Sequence, residues 1–268
     1  MIRDRTLAPA YPFPSLRRAL KVVRRNAIAY KHYWAAFVSG FFEPLFYLGA
    51  VGFGVGRFVG TISFGDAEIS YASFLAPGML AASTLNSAIF DGFFSPFFKL
   101  NWMKTYEGMM TTPVNISDIA VGEVLWSLLR GLIYSAGFLV VIVVLGLVHS
   151  VWALFALPAV VLSGAALAAG AMVLTGLTKE ISSLEKVMTL VVFPLFLFSG
   201  TFFPVSLYPV FLRPLVQVTP LYHSASLLRS LTTGQIDIGI LVNIGYLTAM
   251  LIICSAVAIH LIRRRLIA

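Results

Sequence analysis

Charged side chains are scarce in this sequence, and their scarcity limits the folds that it can form. Of the 268 residues, 11% are Asp, Glu, Lys or Arg and 59% are hydrophobic, with a mean hydropathy of +0.91. A soluble domain has about 25% charged residues because its surface must interact with water. The composition excludes an ordinary soluble domain. Apolar runs of about 20 residues, long enough to cross a hydrocarbon core of ~30 Å, instead predict an all-α polytopic membrane protein.

Residues and motifs that carry common enzyme chemistry are also lacking. Cys254 is the only cysteine, which excludes a disulfide framework and a Cys-based metal site. No Gly-Lys dipeptide occurs, so the phosphate-binding loop G-x-x-x-x-G-K-[ST] is absent. Neither H-E-x-x-H nor G-x-S-x-G occurs, and the histidines are scattered: His32, His149, His223 and His260. We therefore expect no catalytic residue, metal or cofactor in this chain, and any ATP dependence must come from a partner.

A cluster of glycines loosely matches the spacing of dinucleotide-binding loops. Its members are Gly49, Gly52, Gly54, Gly56 and Gly60. The cluster ends an apolar run rather than a strand, and small residues let helix backbones approach closely in membranes. Close helix packing is therefore the preferred interpretation.

The basic residues indicate topology rather than nucleic-acid binding. There are 19 Lys and Arg against 11 Asp and Glu, a formal net charge of +8. They concentrate at the N-terminus, in short loops and at the C-terminus instead of along one soluble face. Residues 1–31 contain eight of them and no uninterrupted apolar region, so this segment does not resemble a cleaved signal peptide and is expected to remain.

The segment Ser15–Lys31 predicts an amphipathic interfacial helix. Its two faces are Leu16, Leu20, Val23 and Ala27 on one side, and Arg17, Lys21, Arg24 and Arg25 largely on the other. Such a helix lies on a membrane with its basic side chains at the headgroups. A soluble basic tail is the alternative.

Six apolar segments are the candidate membrane spans of a transmembrane domain 34–268, which follows a cytoplasmic N-terminal region 1–33. The spans are Trp34–Phe58, Tyr71–Phe98, Asp118–Leu147, Val151–Thr178, Leu184–Phe203 and Ile238–Ile262. With both termini in the cytoplasm, 15 of the 19 Lys and Arg lie inside, and the outside loops hold only Arg57, Arg213 and Arg229. The positive-inside rule therefore predicts N-in, C-in.

Two regions interrupt this simple pattern. The first is the cytoplasmic loop 99–117, which is short and amphipathic, and after which Asn115 and Ser117 are candidate caps of the third span. The second region contains Pro194, Pro204, Pro209, Pro214 and Pro220, which makes one continuous helix improbable because proline lacks a backbone donor. We predict a broken fifth span and outer-side half-helices in a re-entrant segment 204–237. Thr219, Pro220 and Gly234 have the residue types that begin and end one of these helices.

Four ionisable residues fall inside the predicted spans: Glu43, Asp91, Glu123 and Arg130. Charges in hydrocarbon are costly, so such residues normally face protein and have partners. Glu123 and Arg130 are seven positions apart, on one helix face, and belong either to a structural ion network or to a substrate contact. Glu43 and Asp91 are expected at inner-leaflet depth, contacting a lateral helix or another subunit. As a hypothesis, Glu43 pairs with the basic N-terminal helix.

Two stretches resemble a known family. MKTYEGMMTTPVNISDIAVGE is similar to the coupling-helix loop of permease subunits of type-two ABC exporters, and TPLYHSASLLRSLTTG is similar to the segment before their last span. The likeness extends over nearly the whole chain. It implies a coupling helix that docks on a separate ATPase and is formed by Thr105, Tyr106, Glu107, Gly108, Met109, Met110, Thr111 and Thr112.

The resemblance also implies the partners and the cargo. Two cytoplasmic ATP-binding subunits would hold the ATP and magnesium, and a second permease chain would complete a homodimer or heterodimer in the bacterial inner (plasma) membrane. The cargo would be an amphipathic glycolipid, lipid-linked saccharide or hydrophobic drug. The partners are thus proteins and membrane lipids, with no nucleic acid. A proton-coupled secondary transporter and an intramembrane lipid-modifying enzyme are the alternatives.

Overall fold

The computed structural model describes residues 14–31, 42–64 and 67–267. Its elements in chain order are α1 (Leu16–Tyr30), α2 (42–59), β1 (Thr61–Phe64), β2 (Ala67–Ser70), α3 (Tyr71–Asn101), α4 (Thr105–Met109), α5 (Ile116–Val144), α6 (Val151–Leu177), α7 (182–197), α8 (Arg213–Gln217), α9 (Pro220–Thr233) and α10 (Gly239–Ile267). Three helices include a wider π-helical stretch, at Leu48–Val55 in α2, Phe90–Phe94 in α3 and Met188–Val192 in α7.

Helix α3 is the centre of the bundle. It packs against α2, α5, α6 and α9, while α10 packs on α6 and α1 packs on α5. Nearly every side chain from Tyr71 to Ile89 is buried. A helix that is apolar all round is stable only when protein or lipid surrounds it. Here neighbouring helices cover α3, so it is the interior element against which the site residues are positioned.

Among the described residues, four helices are long and apolar enough to cross a bilayer: α3, α5, α6 and α10. They correspond to the second, third, fourth and sixth predicted spans. The start of the first predicted span lies outside the described residues, and the helical part of the fifth ends at Leu197 rather than at Phe203. Six spans and the N-in, C-in topology therefore remain predictions.

The expectation of an all-α fold is wrong in one place. β1 and β2 form an antiparallel hairpin with Thr61 opposite Ser70 and Phe64 opposite Ala67. The strands link α2 to α3, where Ser70 accepts a hydrogen bond from the backbone of Ser73 and begins the helix. Short β-branched and aromatic segments favour paired strands once two helices bring them together.

Three of the predicted helix boundaries are confirmed by the cap geometry. Thr219 accepts a hydrogen bond from the backbone of Tyr222, Pro220 is the first residue of α9, and Gly234 follows the helix with φ 85°. Asn115 forms a capping box with Asp118 at the start of α5. All three helix ends carry residue types that satisfy unpaired backbone groups or allow the chain to leave the helix.

The irregular backbone after α7 is held by Arg229. This residue was expected in an outside loop, but it is buried within α9. Its guanidinium donates to the carbonyls of Phe74 (3.1 Å), Gly200 (3.1 Å) and Thr201 (3.4 Å). Gly78 lets these parts approach, because a Cβ there would lie 2.9 Å from the Thr201 carbonyl oxygen. Non-helical backbone inside a membrane protein needs such protein partners.

Candidate functional site

The predicted coupling segment is a short helix that begins at an unusual backbone position. Lys104 precedes α4 with φ 50°, in the left-handed region. The hydrogen bonding of α3 ends just before it, where the backbone amides of Trp102 and Met103 both donate to the Phe98 carbonyl. The Lys104 ammonium lies 2.8 Å from Glu107 Oε1, and both side chains are more than half exposed. α4 is therefore a separate short helix and not a continuation of α3.

The eight residues of the predicted coupling segment divide into two faces. Tyr106 is fully buried in a small core with Leu100 and Ile119. Met109 and Met110 pack partly against that core, and Thr105 is half-buried. The exposed residues are Glu107, Gly108, Thr111 and Thr112. Only this second face is available to a partner.

Tyr106 connects the segment to the buried charges beneath it. Burial, followed by the nearby negative charge of Glu123, raises the pKa of Tyr106 well above its usual value. The phenol therefore stays neutral at physiological pH. It acts as a packed, uncharged contact between α4 and the bundle.

A buried cluster of Asn26, Lys99 and Glu123 joins three helices. The Lys99 ammonium lies 2.8 Å from both carboxylate oxygens of Glu123. The Asn26 amide donates to Glu123 Oε2 at 2.9 Å, and its oxygen accepts from Lys99 at 3.1 Å. Asn26 comes from α1, Lys99 from the end of α3 and Glu123 from α5. A displacement of any one of these helices disturbs hydrogen bonds to the other two.

Two further polar contacts fix the ends of α1 to the bundle. At its start, the Ser15 backbone donates to Asp118 Oδ1 (2.7 Å) and Arg18 Nε donates to Asp118 Oδ2 (2.5 Å). These hydrogen bonds and the burial of Asp118 attach α1 to the first turn of α5. At its end, the Tyr30 hydroxyl accepts a hydrogen bond from Arg130, whose guanidinium also lies over the Tyr30 ring at 4.7 Å.

Arg130 pairs with Asp91 rather than with Glu123. Its Nη1 lies 2.9 Å from Asp91 Oδ1, and both side chains are almost completely buried. Glu123 and Arg130 do both face protein, but each belongs to a different ion pair because residues of α3 lie opposite each of them. Their seven-residue spacing predicted the face correctly, but it carried no information on the partners, Lys99 and Asp91.

The structure also changes the assignment of Glu43. In the described residues, its Oε2 accepts a hydrogen bond from the Asn86 amide at 2.5 Å, whereas α1 pairs with Asp118 and Glu123. The hypothesis that Glu43 pairs with the basic N-terminal helix is therefore wrong. Glu43 lines a cavity of about 120 Å³ between α2, α3 and α7.

Several residues of the buried cluster and of the contacts at the two ends of α1 were missed from sequence. Lys99 was treated as a loop residue, and Asn26, Tyr30 and Asp118 were not considered functional. Asn26 carried a usable signal, since it is an uncharged polar residue within a helix rich in basic and apolar ones. Which acidic residue each basic residue contacts depends on helix packing and has no signal in a single sequence.

The bundle of apolar helices is that of a multi-pass membrane protein. Similarity to known proteins places it in the inner membrane and in the transport class. The chain belongs to the ABC-2 type transporter family, whose model matches residues 19–233. It is 34% identical to Nodulation protein J of Rhizobium leguminosarum bv. viciae, over 92% of this chain and 94% of that protein. It is 32% identical to Nodulation protein J of Rhizobium meliloti (strain 1021), over 92% and 93%.

A third relative comes from another bacterium. The chain is 28% identical to the inner membrane transport permease YadH of Escherichia coli (strain K12), over 73% of this chain and 76% of that protein. The family match confirms the resemblance that the two sequence stretches indicated.

Proposed function

We propose that this chain is the permease subunit of an ATP-driven exporter and that the exposed face of α4 docks on a separate cytoplasmic ATPase. The observation that carries this proposal is the position of α4. Its outer face is free for a partner, while Tyr106 on its inner face packs beside the Glu123 cluster. A force applied at α4 would therefore reach α1, α3 and α5 together, as a rigid-body transition requires.

In the proposed complex, two ATPase subunits bind ATP and magnesium and act on two permease chains. Helix α2 supports a contact between these chains. A Cβ at Gly49 would have open space around it, and one at Gly54 would meet only the Gly49 carbonyl oxygen, at 3.9 Å; a five-residue spacing lies on one face of a π-helical stretch. Small residues allow close helix contacts in membranes. Both homodimer and heterodimer fit this surface.

The proposed cargo is amphipathic, such as a glycolipid, a lipid-linked saccharide or a hydrophobic drug. The family membership and the similarity to Nodulation protein J over nearly the whole chain support an export role. A mostly apolar cavity beside the Glu43 carboxylate supports a ligand with both apolar and polar parts. The chain itself would supply no catalytic group.

Charge changes on the exposed face of the coupling segment 105–112 test the ATPase contact. Glu107→Arg combined with Thr111→Asp changes two exposed side chains while leaving the inward Tyr106 and Met109 in place. We expect at least about a tenfold loss of ATPase co-purifying with the permease in mild detergent, since altered charges at an interface disturb its electrostatic complementarity. Permease yield and melting temperature should stay unchanged.

Glu68→Arg is the control for the Glu107→Arg change, because it reverses a charge on an exposed residue of the β-hairpin. It should leave ATPase recovery at the wild-type level. Full recovery from the α4 double variant would refute α4 as the docking surface. Finding no ATPase bound to the wild-type permease would favour a self-powered transporter or an enzyme instead.

A further inference from the structure

The coupling segment 105–112 depends on tertiary packing for its position. Its helix α4 has five residues, Thr105–Met109, and follows Lys104 in the left-handed region. Helices shorter than ~12–15 residues are marginal in isolation, so neighbouring parts of the protein must hold α4 in place. The buried side chain of α4 is Tyr106. The residues around this ring therefore decide where the exposed face of the segment lies.

The C-terminal turn of α10 contributes to the packing around Tyr106. The ring lies in a core with Leu100 and Ile119, and Leu266 packs against this core from the end of α10. Among the described residues of the core, Leu266 alone does not come from the segment 100–119. The same leucine packs against a second core, to which α5, α6 and α10 contribute. Leu266 therefore connects the coupling segment to α6 and α10.

Arg265 fixes the same turn by hydrogen bonds. Its Nη1 donates to the carbonyls of Thr175 (2.9 Å) and Thr178 (2.6 Å) at the C-terminal end of α6. Its Nη2 donates at 2.6 Å to the side-chain oxygen of Asn101, the last residue of α3. Carbonyls at a helix C-terminus lack backbone partners, and a cation there interacts favourably with the helix dipole. One guanidinium thus joins the ends of α3, α6 and α10.

We propose that Arg265 and Leu266 form a C-terminal anchor that holds the coupling segment in the position in which it docks. Leu266 supplies an apolar contact to the Tyr106 core, and Arg265 holds the turn of α10 on the ends of α3 and α6. Both are positioning residues, because neither lies on the exposed face of the segment. The inference rests on the proposed docking of α4 for its functional meaning. It adds α6 and α10 to the helices that a displacement of α4 reaches, which the Glu123 cluster does not include.

Hydrogen–deuterium exchange of the purified full chain tests the C-terminal anchor without any ATPase. Arg265→Gln and Leu266→Ala should each raise the exchange rate of the amides in 105–112, because α4 loses a contact that positions it. For Arg265→Gln the increase should be at least about tenfold, as expected for lost hydrogen bonds to a charged group. The segment 220–233 reports on the rest of the bundle and should exchange at the wild-type rate.

Each of these variants has a matched control. Arg264→Gln removes the same charge from an exposed neighbouring arginine, and Leu241→Ala makes the same truncation at an exposed leucine near the start of α10. Neither control should change the exchange of the coupling segment. Arg265→Lys should lie between the wild type and Arg265→Gln, because an ammonium keeps the charge but does not reproduce the planar fork of donors.

A binding titration with the ATPase that co-purifies with the wild-type chain tests whether the C-terminal anchor serves docking. Arg265→Gln and Leu266→Ala leave the exposed face of the coupling segment intact, so the amount of ATPase bound at saturation should not change. The ATPase concentration for half-saturation should rise about threefold or more, the factor expected when a third or less of the segments are in the docking position.

Four outcomes would overturn the proposal. They are wild-type exchange of 105–112 in either variant, equal acceleration in Arg264→Gln, equal acceleration of 220–233, and faster exchange of 105–112 with unchanged half-saturation. The third would indicate general destabilisation instead of a positioning role. Absence of any co-purifying ATPase would overturn the proposed docking of α4, but it would leave the exchange result, measured on the permease alone, standing.

Discussion

Lys99 places an ammonium group in the protein interior, where Glu123 and Asn26 surround it. The side chains of the pair are at most 11% exposed. Pairs of this kind contribute little net stability compared with apolar residues, but the loss of one partner leaves an uncompensated buried charge. The cluster therefore makes α1, α3 and α5 depend strongly on a single carboxylate.

Replacing Glu123 by Gln should destabilise the folded chain by about 3–5 kcal/mol, because Lys99 remains buried without its counter-charge. The measurement is the thermal melting of the purified chain in detergent. Combining Glu123→Leu with Lys99→Met should recover most of the loss. Glu107→Gln is the control, since the exposed Lys104–Glu107 pair is worth less than about 1 kcal/mol. Equal effects of Glu123→Gln and Glu107→Gln would contradict the role assigned to the buried cluster.

At this scale the sequence predicts burial better than pairing. The spacing of Glu123 and Arg130 correctly indicates that both face protein, because a helical period fixes the face of a residue. The pairs Lys99–Glu123 and Asp91–Arg130 depend on how α3 packs on α5. That packing brings together residues 24 and 39 positions apart, which a local pattern does not encode.

At the scale of helices, Arg229 fastens α9 to α3 and to the irregular backbone that follows α7. Its guanidinium donates to three carbonyls and lies 3.7 Å from the centroid of the Phe74 ring. A planar fork with several N–H donors suits this arrangement, and a lysine ammonium does not reproduce it. Arg213 makes a comparable contact near the surface, where it donates to the carbonyls of Tyr208 and Ser206.

Arg229→Lys should therefore cost roughly 2–4 kcal/mol, because buried carbonyls lose charge-assisted hydrogen bonds. Limited proteolysis should show faster cleavage within residues 198–212, together with a lower melting temperature. Arg213→Lys keeps a charge at a partly exposed site and should cost less than about 1 kcal/mol. Wild-type cleavage rates in Arg229→Lys would show that another contact holds this segment.

Helix ends and helix lengths differ in how well the sequence predicts them. Thr219, Pro220 and Asn115 are found at the helix starts that they predicted, since capping depends on local residue types. The fifth helix ends six residues early, and a β-hairpin precedes α3. Both departures depend on tertiary partners: Arg229 in the first case, and the pairing of two short strands in the second. Local propensity does not decide either one.

At the scale of the whole molecule, the number of crossings is decided by α7. If α7 crosses the membrane, Phe211 lies outside, and if α7 re-enters without crossing, Phe211 lies on the same side as Lys186. Both residues are exposed on the protein surface. Cys254 is the only cysteine in the chain, so Cys254→Ser provides a background without thiols.

In that background we expect Phe211→Cys to react with a membrane-impermeant maleimide in intact spheroplasts, because the positive-inside rule places this segment outside. Lys186→Cys and Lys104→Cys should react only after lysis. Labelling of each cysteine is measured as a shift in gel mobility and is compared with the labelling of the same variant after lysis. Protection of Phe211→Cys until lysis would contradict six crossings and favour a re-entrant α7.

The attachment of α1 has a consequence for the lipids around the protein. Contacts at Ser15, Asn26 and Tyr30 hold it along its length, and Gly122 brings α5 so close that a Cβ there would lie 2.6 Å from the Cβ of Val22. Leu16 and Leu20 remain on its open side. If α1 lies on the cytoplasmic membrane surface, as its sequence predicts, any tilt of α5 would drag these leucines through the inner monolayer, so membrane viscosity and headgroup packing would set part of the turnover rate.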